Sequence, residues 1–373
     1  MLEITVKNNA ICFGKHFSLN FQRTLRIPDD GKTYPLPPGL GEFPVCKVDD
    51  YISRVPETWK EHGGVFIPMY QREALWIYFR GVSWRPNAVK IAVGKINAVS
   101  GKPWQQQLQA DDQDYVICPD QPWLDGINSG EGYIRQFVAM PLGMGYTVEA
   151  QVTGKEEFGG IQIIVFDPKP GLFPEEPPPQ LMRSRGVSAL MAPMGSLGFG
   201  FGGAEMGLAA GGKMTQEIYP DSYGINTWDE TNFGRVYVHI VNSMMYREIT
   251  GKEPPSTPVT AKTYSEYDLP WFDLYDEQKG SVAPSTILSQ VKSVKEMDKN
   301  QGFAPQQDDT SVDIPQAQIK KLNLDPDGVR DGNWQSTSRS SIVYRDNSSI
   351  AFVNGQCCIR PAKLDTTCRS KAR

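Results

Sequence analysis

The sequence predicts a mainly β protein: an N-terminal antiparallel β-sandwich or open barrel, followed by a smaller α+β C-terminal region and a polar tail. Two observations support this prediction. Short runs of β-branched and aromatic residues recur through the first 167 residues, and Pro, Gly, Asp or Asn separates each run from the next. No apolar repeat of 3.6 residues with the length of a helix lies between these runs, which disfavours alternating strands and helices.

Eight strands are predicted in the domain of residues 1–167. In chain order they are LEITVK, FSLNFQRTLRI, GGVFIPM, EALWIYF, AVKIAVG, DYVICP, YIRQFVAM and GIQIIVF. EALWIYF and GIQIIVF read as continuous rather than alternating runs, as expected of strands that are covered on both faces, so we expect these two to be central. Asp-Gly in IPDDGKTY and Ser-Gly in NAVSGKPW supply the positive φ that hairpin turns require.

A proline-rich acidic stretch, DPKPGLFPEEPPPQ, predicts a stiff linker over residues 168–180. We expect the main domain boundary there. The linker would lead into a mixed α+β region with a Gly/Met-rich loop over residues 181–277. Residues 278–373 are polar with weak periodicity, which predicts a tail that is partly disordered.

Two segments of the C-terminal half carry signals of helix ends. RVYVHIVNSMMYREITG is predicted to be a strand that passes into a helix, or one helix throughout, ending at Gly251. Thr260 would cap a further short helix that Pro270 stops. Upstream of both, MPLGMGYTVEAQVTG has two interpretations. It is either a glycine turn that receives an anion and opens a helix capped by Thr147, or a turn into another strand, and its alternation favours the strand.

Charge and composition exclude some classes of function. The chain has 38 basic and 43 acidic residues, a formal net charge of -5, and no basic run that could follow a phosphate backbone, so nucleic acid is not an expected partner. The N-terminus lacks the pattern of a signal peptide, and the six cysteines are sparse, which together predict a cytoplasmic location. No motif for a cofactor or for nucleophilic catalysis occurs, so we favour a protein that is not an enzyme.

An aspartate-rich loop with tryptophans provides the strongest local pattern, DDQDYVICPDQPWLDG. Glycosidases use paired carboxylates, and aromatic side chains are suited to lining a sugar site. The candidate ligand-binding residues are Trp104, Asp120, Trp123 and Asp125, and the corresponding function is a carboxylate-dependent carbohydrate hydrolase or a carbohydrate-binding protein. The competing interpretation is structural, because acids in turns are usually solvated and a tryptophan between strands usually packs in the core.

A calcium-loop pattern occurs near the C-terminus in LNLDPDGVRDGNW. Asn323, Asp325 and Asp327 place oxygen ligands at alternate positions before a glycine. Pro326 lies among these ligands, and Trp334 occupies the twelfth position, where a bidentate Glu is wanted. An Asx-rich turn is therefore the competing interpretation.

The Gly/Met-rich stretch from Ser188 to Met214 reads SALMAPMGSLGFGFGGAEMGLAAGGKM. It has the length of a membrane span but too much Gly, Ser and Pro to form a stable one, so we expect no membrane span. Methionine and glycine together suit a surface that repacks. The candidate interface residues are Met191, Met194, Phe199, Phe201 and Met206. We expect a non-enzymatic binding or structural protein that self-associates into a homo-oligomer through this segment.

Several longer stretches resemble a family of hypothetical proteins from bacteria and fungi. They include FQRTLRIPDDGKTYPLPPGLG, GGVFIPMYQREALWIYF, IRQFVAMPLGMGYTVEAQVTG, MGLAAGGKMTQEIY and LPWFDLY. The resemblance extends over roughly residues 1–276. No activity, cofactor or catalytic residue is known for that family, so the resemblance implies no function.

Overall fold

The structure is a computed structural model, and it describes residues 1–178, 205–258, 261, 271–274, 280–304, 306, 309–324, 330–331, 350–353 and 356–359. The described chain is mainly β, and its strands pair mostly antiparallel, as predicted. Within the described residues, sixteen strands join in one large sheet that four short helices accompany, and two small sheets lie outside it.

The strands of the main sheet are numbered in chain order. They are β1 (Ile4–Lys7), β2 (Ala10–Phe13), β3 (Phe17–Thr24), β4 (Thr33–Tyr34), β5 (Cys46–Lys47), β6 (Val65–Pro68), β7 (Ala74–Arg80), β8 (Asn87–Val93), β9 (Ile96–Asn97), β10 (Val116–Cys118), β11 (Trp123–Leu124), β12 (Gly126–Gly130), β13 (Tyr133–Pro141), β14 (Ile161–Pro168), β15 (Glu205–Thr215) and β16 (Trp228–Val241).

Ten of these strands form a continuous path in the order β1-β2-β3-β7-β13-β15-β16-β14-β8-β10. Six short strands pair beside this path. Of these, β4 and β6 pair parallel with β15 and β16, respectively. The Leu2 N–H also donates to the Phe233 carbonyl of β16 at 3.0 Å, although five strands separate β1 from β16 along the path. The sheet is therefore strongly curled.

The largest apolar core lies between strands that this curl brings together. It combines side chains from distant parts of the path, such as Phe13 on β2, Val89 on β8 and Val238 on β16. Each fully buried Val or Phe contributes roughly 1.5–3 kcal/mol to folding. Gly234 lies where β16 passes close to β2, because a Cβ at this position would approach the Phe13 ring to 2.7 Å. A larger residue there would push the two strands apart.

The predicted division between residues 1–167 and residues 181–277 does not match this sheet. β15 and β16 follow the proline-rich stretch in the sequence, yet they lie between β13 and β14, in the middle of the path. Backbone hydrogen bonds join strands that are distant in sequence, so a proline-rich segment is not by itself a domain boundary. The expectation that EALWIYF and GIQIIVF are central is confirmed, since β7 and β14 each have neighbours on both sides.

Four α-helices occur in the described residues: α1 (Glu57–His62), α2 (Val148–Thr153), α3 (Ser243–Thr250) and α4 (Val294–Asn300). Four 3-10 turns accompany them at Asp49–Tyr51, Ile225–Thr227, Leu288–Gln290 and Gln316–Gln318. No helix in this part of the chain is long and apolar enough to cross a membrane.

The helix ends decide between the alternatives left open by the sequence. The Thr147 hydroxyl accepts from the Ala150 N–H, so α2 is the capped helix, and the preferred strand interpretation was wrong. One side-chain bond at the first turn outweighed the alternating pattern that follows it. β16 passes into α3, which ends at Gly251 in the left-handed conformation, as predicted. The predicted helix from Thr260 to Pro270 falls almost wholly outside the described residues.

The C-terminal part contributes to the fold more than its polar composition predicted. Leu288, Val291 and Val294 are buried, and the Ser285 hydroxyl donates to the Ser100 carbonyl at 2.6 Å. Part of the predicted tail therefore packs against the main sheet. The remaining strands are β17 (Trp271–Leu274), β18 (Ile319–Leu324), β19 (Arg330–Asp331), β20 (Ile350–Val353) and β21 (Gln356–Ile359).

Candidate functional site

A cavity of about 560 Å³ opens at one end of the main sheet, where several strands end or begin. β6, β13 and β16 end there, β15 begins there, and α3 and α4 contribute side chains. This size lies within the range of small-molecule sites, roughly 300–1,000 Å³. The described residues of its wall are Met69, Tyr70, Gln71, Arg72, Met140, Pro141, Met144, Tyr146, Met206, Asn242, Ser243, Met244, Thr257, Asp298, Phe303 and Gln306.

Five of the chain's 12 methionines line this cavity. The backbone places them, since each lies at or near the end of a strand or helix. The Met69 N–H donates to the Val241 carbonyl at 2.9 Å, and Met206 lies opposite Pro141 in the β13–β15 pair. Met69, Met140 and Met206 are buried and also belong to the apolar cores. The inner wall is therefore continuous with the core.

The outer wall of the cavity carries exposed apolar side chains. Met144, Met244 and Phe303 are 36%, 49% and 52% exposed. They come from three segments that are distant in sequence, and all three line the same cavity. Scattered apolar residues on a surface need no explanation, but grouped ones commonly mark a binding site. Three apolar side chains thus lie exposed at the mouth, beside polar ones such as Gln71 and Thr257.

The loop before α2 shapes one side of the mouth. The Glu156 carboxylate accepts hydrogen bonds from the N–H groups of Gly143 and Gly145, at 2.5 and 3.1 Å, and from the Thr147 hydroxyl at 2.6 Å. Both glycines have positive φ. The amides that were considered as an anion site in the sequence therefore bind the protein's own carboxylate, which fixes the position of Met144.

A four-residue turn from Tyr70 to Glu73 forms the floor beside the methionines. The Glu73 carboxylate accepts from the Tyr70 N–H at 2.9 Å and from the Arg23 Nε–H at 2.7 Å. Burial raises the pKa of Glu73, while the guanidinium of Arg23 opposes this shift. The Tyr70 hydroxyl donates to the Pro255 carbonyl at 2.8 Å, which ties the turn to the segment after α3. The floor is held by buried polar contacts.

Arg72, the third residue of this turn, has an unusual backbone conformation. Its φ is +69°, a region that costs a residue with a side chain roughly 1–2 kcal/mol. Its N–H donates to the Ala139 carbonyl at 2.7 Å, and its guanidinium makes two hydrogen bonds to Asp298, at 3.2 and 2.7 Å. Non-glycine residues held in this region are concentrated at functional sites.

The charges around Arg72 form a chain of alternating sign. Asp298 accepts from Arg72 and from the Tyr146 hydroxyl, while Asp309 lies 3.8 Å from Arg72 and forms an ion pair with Arg26 at 2.9 Å. Burial, reinforced by the bond to Asp298, raises the pKa of Tyr146 to about 12. The charges of the two arginines and the two aspartates cancel, so this network presents no net charge to the cavity.

Two of the three histidines meet at a second site, an aromatic stack outside the cavity. The rings of Trp59 and His239 lie 4.4 Å apart, those of His239 and Tyr237 4.9 Å, and those of Tyr237 and His62 4.7 Å. His239 Nε2 lies 3.1 Å from the Gly63 carbonyl. Burial lowers the pKa of His239 to about 4, which keeps the ring neutral at physiological pH. The wide sequence separation of the histidines concealed this grouping.

The structure does not assemble the predicted carbohydrate site. Trp123 and Asp125 are fully buried, and Asp125 accepts from the Gln216 side chain at 2.8 Å. Trp104 and Asp120 are only half-buried, and Trp104 packs against a separate apolar cluster. Trp123 cannot serve as an open platform for a sugar, because its ring packs edge-on against Trp76 in the core. The structural interpretation of this loop is the better one.

A neighbouring acid of the same loop, Asp114, belongs to a buried ion pair. Its carboxylate lies 2.6 Å from Lys90 Nζ, which also donates to the Gln107 carbonyl. Burial lowers the pKa of Lys90 and raises that of Asp114, and their mutual attraction opposes both shifts. This pair ties the aspartate-rich loop to β8 and leaves Asp114 unavailable for a ligand.

The other predicted site residues fall mainly outside the described part of the chain. Met191, Met194, Phe199 and Phe201 lie there, so self-association through them remains a prediction. The prediction that Met206 is an interface residue is corrected, because β15 buries it in the core and in the inner wall of the cavity. Asp325 and Asp327 also lie outside, whereas Asn323 belongs to β18. In the part of the chain that the structure describes, no group of three or more His, Cys, Asp or Glu could hold a metal.

Sequence reasoning missed the methionine cavity, although a local signal was present. Met69 follows a proline, Met140 precedes one, and Met144 lies between two glycines, so these methionines occur where strands stop. A strand end is where a side chain can face a cavity rather than a neighbouring strand.

No protein-family model, no curated protein and no solved structure matches the chain. The resemblance to bacterial and fungal proteins remains a prediction.

Proposed function

We propose that this protein is a binding protein, and that it takes a small apolar molecule into the methionine cavity. The observation that carries the proposal is the combination of an open cavity of about 560 Å³ with three exposed apolar side chains at its mouth. An apolar ligand would cover Met144, Met244 and Phe303 and remove them from water. Each Å² of apolar surface removed from water contributes about 25 cal/mol.

The character of the wall favours binding over catalysis. The described lining residues include neither His, Cys nor Lys, and the only ionised groups among them, Arg72 and Asp298, bind each other. Methionine side chains are flexible and polarizable, which suits the binding of differently shaped apolar molecules. The polar residues of the wall, such as Gln71 and Thr257, would give hydrogen bonds at the edge of a ligand.

The test is a fluorescence titration with Nile red, an uncharged apolar dye, on the full-length chain. We expect saturable binding, and we expect Met144→Asp and Met244→Asp each to weaken it about tenfold, because a carboxylate at the mouth opposes apolar contact. Both residues are exposed, so the fold should tolerate the change. The matched control is Leu172→Asp, which alters a residue that is 54% exposed and outside the cavity wall.

Two outcomes would contradict the proposal. If the unaltered protein does not bind the dye, the cavity is not an apolar site. If Leu172→Asp weakens binding as much as the two mouth variants do, the dye adheres to the surface in general.

A further inference from the structure

The apolar part of the cavity wall has an unusual composition. Among its described residues it consists of methionine, Tyr70, Tyr146, Phe303 and Pro141, and it contains no Leu, Ile, Val or Ala. The main core, by contrast, is built mostly from Ile, Val, Leu and Phe. The wall and the core are made by the same chain, so the difference is a property of the cavity and does not follow from the overall composition.

This wall is suited to a flat aromatic molecule. Thioether sulfur makes favourable contacts with aromatic rings that it does not make with saturated carbon. The rings of Tyr70, Tyr146 and Phe303 add edge and face contacts of the kind that aromatic pairs prefer. Branched aliphatic side chains, which offer neither contact, are the ones that the wall lacks. The chemistry of the wall therefore favours an aromatic ligand over a saturated ligand of equal size.

The charge of the wall restricts the ligand further. Arg72 and Asp298 neutralise each other through two hydrogen bonds, and the Arg26–Asp309 pair adds no net charge. A charged ligand would lose hydration against the methionines and aromatic rings of the wall without gaining an unmatched partner from this network. An uncharged ligand loses less hydration free energy when it enters the cavity.

We infer that the natural ligand of the methionine cavity is an uncharged aromatic molecule. This inference rests on the proposed function and names the class of its ligand. The methionines select for aromatic character, and the polar residues at the rim accommodate a single hydroxyl or carbonyl group on the ring system.

Two probes with one carbon skeleton test the inference: 2-naphthol and its saturated counterpart, trans-2-decalol. Binding to the full-length protein would be measured by isothermal titration calorimetry. The saturated molecule is the more hydrophobic, so burial of apolar surface alone would favour it. We expect the opposite order, with 2-naphthol binding roughly tenfold more tightly because several sulfur atoms contact its rings.

Replacing methionine by leucine removes the sulfur and nearly conserves the side-chain volume, so it tests whether sulfur causes the preference for the aromatic probe. The double variant Met144→Leu/Met244→Leu alters only exposed positions, and we expect it to weaken 2-naphthol binding roughly three- to tenfold while leaving decalol binding unchanged. The matched control is Met245→Leu, at the next position on α3, which packs in another cluster and is not part of the wall.

Three results would overturn the inference. Equal affinity for the two probes would show that the wall does not distinguish aromatic from saturated rings, and Nile red binding would still support the proposed function. Equal weakening of both probes in the double variant would show that shape rather than sulfur matters. Binding of neither probe, together with a negative dye titration, would end both proposals.

Discussion

Arg72 and Asp298 are joined by two parallel hydrogen bonds, Nη1 to Oδ1 at 3.2 Å and Nη2 to Oδ2 at 2.7 Å, across the wall of the methionine cavity. The pair connects the turn before β7 to helix α4, and 226 residues separate the two side chains in sequence. It thus holds together segments whose order along the chain gives no hint of the contact.

The first prediction concerns this ion pair. Asp298→Ala should lower the free energy of unfolding by about 3 kcal/mol, because it leaves the largely buried Arg72 without its main partner and removes the acceptor of the Tyr146 hydroxyl. Urea denaturation measures the change. The control is Glu57→Ala, which breaks an exposed pair with Lys60 and should cost less than about 1 kcal/mol. Similar losses in the two variants would contradict the structural role of Asp298.

The second prediction concerns the backbone of Arg72. Because φ is +69° there, Arg72→Gly should be more stable than Arg72→Ala by about 1 kcal/mol, although glycine is normally the more costly residue. At the adjacent residue, Gln71, the order should reverse, with Gln71→Ala more stable than Gln71→Gly. Thermal unfolding of the four variants gives both comparisons. The same order at both positions would mean that Arg72 is not strained.

The third prediction concerns acid stability. Burial lowers the pKa of His239 from its ordinary value of 6.5 to about 4, so the unfolded state binds the proton more readily than the folded state does. Stability is therefore retained above pH 6.5 and lost as the pH falls towards 4, by about 3 kcal/mol in total. His239→Gln should abolish this part of the pH dependence in urea titrations between pH 7 and 4. The control is His16→Gln, outside the aromatic stack, and a parent-like slope in His239→Gln would refute the assignment.

The fourth prediction separates packing from sugar binding in the aspartate-rich loop. Trp123→Ala should destabilise the protein by about 3–5 kcal/mol, because it empties a fully buried site. Trp104→Ala removes a half-buried ring and should cost less. If the Trp123→Ala protein has an unchanged melting temperature, the ring does not stabilise the core. That result would support the interpretation of the loop as a carbohydrate site.

Local chemistry explains which predictions from the sequence succeeded. The continuous apolar runs of β7 and β14 predicted central strands, because a strand covered on both faces needs apolar residues at every position. Gly251 predicted the end of α3, because a left-handed residue without a Cβ terminates a helix at little cost. These signals depend on a few neighbouring residues, so they can be read without knowledge of the fold.

Strand order and the composition of the cavity depend on contacts between distant segments. The proline-rich stretch predicted a domain boundary, but β15 and β16 return to the middle of the sheet. The backbone groups of a strand can pair with any strand that reaches them, whatever the distance in sequence. Trp123 looked like a ligand platform until the fold buried it against Trp76. The methionines of the cavity lie on separate strands, loops and a helix. The sequence determined that this chain forms a β-sheet with particular central strands, whereas only the tertiary structure decided which strand ends meet and so gather five thioethers around one cavity.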